Sequence, residues 1–234
     1  MKEMNNMKLV IETPEDYNHP LVQEYIESEI KRPSKRWVEH VINGVQEKEH
    51  VKIQHEKYLL LPDTERINRY WSLTSLGRKK SQHLLTSQST ITHPKATNVY
   101  SHRSSRGREC VILNWLAIVK EKNLHTIRNL TGEHIVLLKQ IRDEALESIF
   151  KETKIPKDEV MIYVHYHPSV YQLHIHFAYP YMQYNHRDIY RMHPLNTIIH
   201  NLENDGDYYK KAHIQVSLQK DSVLYKVIKK KMSM

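Results

Sequence analysis

Residues 161–177, Met-Ile-Tyr-Val-His-Tyr-His-Pro-Ser-Val-Tyr-Gln-Leu-His-Ile-His-Phe, constrain the fold more than any other stretch of the chain. Leu173, Ile175 and Phe177 are apolar, and Gln172, His174 and His176 between them are polar. A period of two is that of a strand with its apolar set on the core and its polar set on the other face. At roughly 3.3 Å of rise per residue, Gln172, His174 and His176 stand in a row about 6–7 Å apart. His165 and His167 form an earlier row, alternating with Val164 and Tyr166. Pro168-Ser169 interrupts the run and predicts a turn or bulge between two strand segments. Four histidines in twelve residues are dense even for a chain that holds 17.

Such a row has three readings. It is a solvated strand face that happens to be rich in histidine. It is a metal site, since neutral imidazole suits zinc, iron, copper or nickel, although the stretch itself supplies no acidic ligand. Or it is a site of nucleophilic catalysis at phosphorus, in which one imidazole attacks while neighbouring histidine, serine and backbone N–H groups neutralise the non-bridging oxygens.

Composition narrows the setting. The 234 residues, 39% hydrophobic and 26% charged, suit one large domain or two small ones with a real core. No run approaches 18 apolar residues, so no transmembrane helix is expected, and Met-Lys-Glu-Met-Asn-Asn does not read as a secretory signal. A single cysteine, Cys110, leaves no disulfide framework or cysteine-based zinc site and is compatible with a reducing compartment. A formal net charge of +8 favours polyanionic partners such as nucleotides or RNA.

Gln172-Leu-His-Ile-His-Phe177 resembles the histidine triad motif, His-φ-His-φ-His-φ-φ with φ apolar. The longer run Tyr163–Phe177 is similar to the scavenger messenger-RNA decapping family, in which His-Tyr-x-Pro-Ser leads directly into the triad. The resemblance implies an α+β fold: a histidine-triad-type antiparallel sheet with packed helices, carrying here a basic low-complexity insertion. It implies a hydrolase that cleaves the triphosphate bridge of 7-methylguanosine cap dinucleotide or short capped RNA through a covalent nucleotidyl-histidine, releasing 7-methylguanosine monophosphate. His174 would be the nucleophile, with His176, His165 and Ser169 holding the phosphates and leaving group. Gln172 replaces the first triad histidine; its carboxamide is expected to fix the tautomer of His174 without carrying charge. No cofactor and no metal are implied, the partner chain would be a second copy, no membrane is involved, and the compartment would be cytoplasm or nucleus. The alternative is a catalytically weak cap- or nucleotide-binding protein without the family's N-terminal lid, since only 36 residues precede Trp37.

Residues 1–33 read as a polar lead-in to a catalytic domain spanning 34–234. Within the lead-in, Lys8–Ile11 predicts a short strand, and Thr13-Pro14 followed by acids predicts a helix start. Ser34 is the expected N-cap of a helix over 34–47 with Trp37, Val38, Val41, Ile42 and Val45 on one stripe. On pattern alone Trp37 is a core aromatic and Glu47 a solvated helix end. The resemblance implies instead that Trp37 stacks on the cationic 7-methylguanine and that Glu47 binds its edge, which is sound physics for a flat cation. Residues 50–62 predict a hairpin. Asp63 matches a base-contacting acid of the family, but Thr64-Glu65-Arg66 departs from the apolar residue and lysine that follow there.

Residues 72–109 predict a loosely ordered basic insertion: Gly77–Glu109 holds seven Lys or Arg and a single acid. Residues 110–128 predict a strand or helix. A helix from about Gly132 to Lys151, striped by Ile135, Leu138, Ile141, Ala145, Leu146 and Ile149, is expected to pack behind the histidine strands. Ala178–Asn185 reads as a loop. Arg191 and His193 are expected to open a helix running through Leu202, and Arg191 matches a family arginine that approaches the phosphates. Residues 212–218 predict a final strand, and Lys226–Lys231 a basic helix end.

Overall fold

A computed structural model describes residues 6–63, 100–103, 109–179 and 190–232. Strand β1 (Met7–Glu12) opens the chain, followed by the short helix α1 (Pro14–Tyr17) and by α2 (Pro20–Lys31). Thr13 caps α1 with a capping box: its hydroxyl accepts from the Asp16 N–H while the Asp16 carboxylate accepts from the Thr13 N–H at 3.0 Å. Helix α2 buries Val22 and Ile26, an apolar pair at i, i+4 inside a stretch whose overall polarity hides it.

Helix α3 (Trp37–Ile42) is shorter than the expected 34–47 and starts later. Ser34 lies in a 3-10 turn, Pro33–Lys35, and Arg36 precedes the helix without a side-chain cap. The helix stops because Gly44 takes a left-handed φ of 68°, which allows the Val45 N–H to reach back to the His40 carbonyl at 2.8 Å. Glu47 is also left-handed, with φ 53°.

The hairpin β2 (Ile53–Gln54) and β3 (Tyr58–Pro62) follows, then the ribbon β4 (Tyr100–Arg103) and β5 (Glu109–Ile112), then β6 (Asn114–Val119). The rest of the expected basic insertion, residues 72–99 and 104–108, lies outside the described residues, as do Thr64–Arg66 and residues 180–185 of the expected loop. Helix α4 (Ile135–Thr153) leads to β7 (Met161–His165) and β8 (His174–Ala178). Arg191 and His193 do not open a helix. Met192–Pro194 forms β9 along β7, on the edge away from β8, and Pro194 then stands as the N-cap residue of α5 (Leu195–Asn204). Helix α6 (Tyr208–Lys211), strand β10 (Ile214–Gln219) and helix α7 (Val223–Met232) complete the order.

The main sheet runs β2-β3-β6-β8-β7-β9 with every pairing antiparallel, and β1 pairs separately with β10. Alternation sorts its side chains. Tyr58, Leu60, Trp115, Ala117, Ile175 and Phe177 join α4 and α5 in one large core; Leu59, Leu61, Leu116 and Ile118 face the other way and pack with Val38 and Val41 of α3. Thus α4 does lie behind the histidine strand, burying Leu138, Ile141, Ala145 and Ile149. None of the described helices is long and apolar enough to cross a membrane.

Candidate active site

The α3 side of the sheet is not a bare solvated face. It holds a cavity of about 170 Å³ walled by α3, the Gln46-Glu47 turn, the end of β3 and the turn before β8. Its walls include Trp37, Glu47, Asp63, Ser169, Gln172, His174 and His176, so seven of the nine residues singled out from the sequence meet in one space. Among the described residues the other lining side chains are the apolar Val38, Leu61, Pro62, Leu116, Ile118 and Val170, and Gln46 at the turn. Trp37 is both packed against the small apolar cluster and open to the cavity.

The two remaining residues stand behind the wall. His165 ends β7, beside β8, and is buried; its ring meets that of His176 edge-on at 4.5 Å. His176 is stacked on Tyr163 at 4.9 Å with the planes 8° apart, and His174 lies edge-on to it at 5.0 Å. The result is a file of imidazoles, 165, 176 and 174, running from buried to partly exposed. Arg191 is outside the cavity lining; its Nε and Nη2 donate to the carbonyl of His167 at 3.2 and 2.7 Å, two residues before Ser169.

Orientation of His174 comes from the main chain. Its Nδ1–H donates to the Gln172 carbonyl at 2.7 Å. A carbonyl only accepts, so Nδ1 carries the proton and Nε2 of the neutral ring carries the lone pair. The expectation that the Gln172 carboxamide would do this is corrected: its Nε2 donates instead to the carbonyls of Val119 and Glu121, at 2.5 and 2.9 Å, closing the bend at the end of β6. The side chain is spent on the scaffold, and the imidazole is set by an atom that every residue type possesses.

His167 does not extend the row of His165. The Tyr166-His167 peptide is cis, and the His167 ring lies in a buried cluster with Glu12, Arg128, Tyr166 and Tyr17. The sequence assigns no site role to Glu12 or Arg128. Glu12 follows an apolar strand and precedes Thr-Pro, so it reads as an ordinary helix-start acid, and only the β1–β10 pairing reveals that it is buried. Among the described residues no three His, Cys, Asp or Glu side chains gather into a group that could hold a metal ion.

Residues 108–189 match the family model described as "Scavenger mRNA decapping enzyme C-term binding". The chain is 33% identical over 115 residues to the m7GpppX diphosphatase of Rattus norvegicus, an alignment covering 49% of this chain and 34% of the relative. It is 24% identical over 222 residues to that of Ascaris suum, covering 93% and 60%, and 25% identical over 173 residues to that of Schizosaccharomyces pombe, covering 72% and 43%. The matches thus span between a third and three-fifths of the relatives' lengths. Among solved structures, "Hnt3 in complex with DNA and guanosine" aligns with 84% of the chain and 94% of its own at 10% identity and a TM-score of 0.36.

Proposed function

We propose, for a chain that belongs to the scavenger mRNA-decapping-like branch of the histidine triad family, that the cavity binds a 7-methylguanosine cap and that His174 cleaves its triphosphate bridge. The observation that carries this reading is the arrangement of one ring: His174, its Nδ1 proton held by the Gln172 carbonyl, borders the same cavity as Trp37, Glu47 and Ser169. An indole face with a nearby carboxylate suits a flat, positively charged purine. A neutral imidazole fixed in one tautomer, with its lone pair on Nε2, suits attack at phosphorus.

In this mechanism Nε2 of His174 forms a bond to the phosphorus nearest the methylated guanosine. The bond from that phosphorus to the bridging oxygen breaks, and the electron pair leaves with the nucleoside diphosphate. Water then hydrolyses the phosphorus–nitrogen bond, releasing 7-methylguanosine monophosphate and restoring the imidazole. Ser169 and His176 stabilise the non-bridging oxygens, His165 supports His176 from behind, and Asp63 and Glu47 contact the base. The rate comes from in-line positioning and fixed donors. The cavity is smaller than the roughly 300–1,000 Å³ of a pocket that encloses a drug-sized ligand, so it takes the cap end and leaves the second nucleoside outside. That suits both the dinucleotide and short capped RNA. The expected homodimer belongs to the same proposal and is read by sedimentation.

The test is incubation of the protein with cap dinucleotide and chromatography of the products. Equal amounts of 7-methylguanosine monophosphate and guanosine diphosphate are expected, with and without a chelator. Tight binding with no product would replace the hydrolase by a cap-binding protein.

A further inference from the structure

The cluster on the far side of the turn before β8 is built around one carboxylate. Glu12, with no exposed surface, ends β1. Its Oε1 accepts from Nε and Nη2 of Arg128, at 3.3 and 3.0 Å, and from the Tyr166 hydroxyl. Its Oε2 accepts from Nε2 of His167 at 2.5 Å. Arg128 also donates to the carbonyls of Glu12, Tyr209 and Ala212, so one guanidinium ties β1, α6 and the approach to β10 together. Burial alone would raise the Glu12 carboxyl; His167, then Tyr166 and Arg128, bring it below its ordinary value.

His167 faces both ways. Its ring is held by Glu12, and its carbonyl is the acceptor for the Arg191 guanidinium. The Tyr166 N–H in turn donates to the Arg191 carbonyl at 2.8 Å. Two residues further on, Ser169 lines the cavity. Residues 166–173 belong to no strand, so no sheet ladder fixes their main chain. Main-chain bonds hold its two ends, at Tyr166 and Leu173, and between them residue 167 is held by a buried carboxylate on one side and a guanidinium on the other.

We propose that Glu12 and His167 are positioning residues: their buried pair fixes the main chain at 167, and through it Ser169 at the phosphate end of the cavity, with Arg191 gripping the same residue from outside the lining. The proposal rests on the reading of that cavity as a cap site. Neither residue touches the ligand. Each acts because the imidazole that Glu12 grips and the carbonyl that Arg191 grips belong to the same residue.

The experiment compares the whole chain with Glu12→Gln and with His167→Leu, which leaves the Glu12–Arg128 pair in place and decides the matter if Glu12→Gln does not fold. Amide hydrogen exchange is followed at 166–170 and, as a reference, at 135–153. Affinities for 7-methylguanosine and for 7-methylguanosine diphosphate are measured by quenching of tryptophan fluorescence. Exchange at 166–170 should rise about tenfold or more while the reference helix is unchanged. The diphosphate should lose about fivefold or more of its advantage over the nucleoside, whose own affinity stays within about twofold. His167→Gln, which restores a donor to Glu12, should recover both. Unchanged exchange at 166–170 overturns the proposal, and so does an equal loss of protection in the reference helix, which would reduce the pair to a general structural ion pair. A parent protein that binds the diphosphate no better than the nucleoside overturns the cap-site reading instead, and the exchange result still decides whether the pair positions the turn.

Discussion

On one face of the six-stranded sheet Trp115, Ile175 and Phe177 lie fully buried under two helices of 19 and 10 residues. On the other, Leu116, Ile118 and His176 lie beneath a helix of six residues and a turn, with a cavity between. The same three strands supply both faces, because alternate residues of β3, β6 and β8 point in opposite directions. The thick face is where apolar area is taken out of water and where stability resides. The thin face keeps only enough apolar contact to hold α3 over the sheet, and its remaining positions are polar groups aimed at one space. Stability and chemistry are therefore separable along a single strand, residue by residue.

The sharpest way to break this comparison is at His174. His174→Ala should lower cap-dinucleotide turnover by about a thousandfold or more, about 4 kcal/mol of barrier, with the unfolding midpoint almost unmoved. A large loss of stability in that variant would mean that the thin face carries the fold as well. Three residues along the strand, Phe177→Ala should do the reverse. Urea unfolding should report a loss of about 3–5 kcal/mol, while the molecules that remain folded keep most of their nucleoside affinity.

Acid probes the thick face and the buried cluster beside it. Burial, then the charges of His167 and Arg128, push the His193 imidazole down to about 4. The unfolded chain takes up that proton near pH 6.5 and the folded chain does not. Stability therefore falls as pH drops from 6.5 to 4, by at most about 3 kcal/mol, and this group costs nothing further below 4. Glu12 adds a loss of the same sign at lower pH. Its folded carboxyl lies below the ordinary value, so its contribution is full above the unfolded value and vanishes as acid passes through the folded one. Urea midpoints at pH 7 and pH 5 measure the first effect, and His193→Asn should flatten it. The smallest change is expected for Gln172→Ala: about 1 kcal/mol of stability from two lost hydrogen bonds, and turnover within a few-fold, because the carbonyl that orients His174 remains. A collapse of turnover there would show that the carboxamide matters after all.

Much of the thin face was legible because period-two alternation is a local signal. Gln172, His174 and His176 could be placed on one side of a strand without knowledge of any neighbour, and the resemblance supplied Trp37, Glu47 and Asp63 as their companions. What could not be read depended on atoms without a sequence signature. The main-chain carbonyl of residue 172 is present whatever the side chain, so its role was attributed to the wrong group. Arg191-Met-His-Pro looked like a helix entry because the edge of β7 that recruits it lies some 30 residues earlier. Helix α2 was missed because the residues that mark its inner side, Val22, Tyr25, Ile26 and Ile30, are interleaved with acids and other polar residues. The Glu12 cluster went unread for a related reason: its members come from separated segments, Glu12 has an ordinary local explanation, and the alternation placed His167 in a row with His165 instead.

The pairing of β1 with β10 has a consequence for biosynthesis. Strand β1 leaves the ribosome about 200 residues before its partner exists, at roughly 5–20 residues per second. Late in that interval the nascent chain holds Glu12 and its histidine strands but not the strand that pairs with β1, nor the carbonyls of Tyr209 and Ala212 that complete the seat of Arg128. The turn that carries Ser169 is thus among the last parts of the molecule to be set, and a ribosome-bound intermediate would own the imidazoles before it owned a finished pocket.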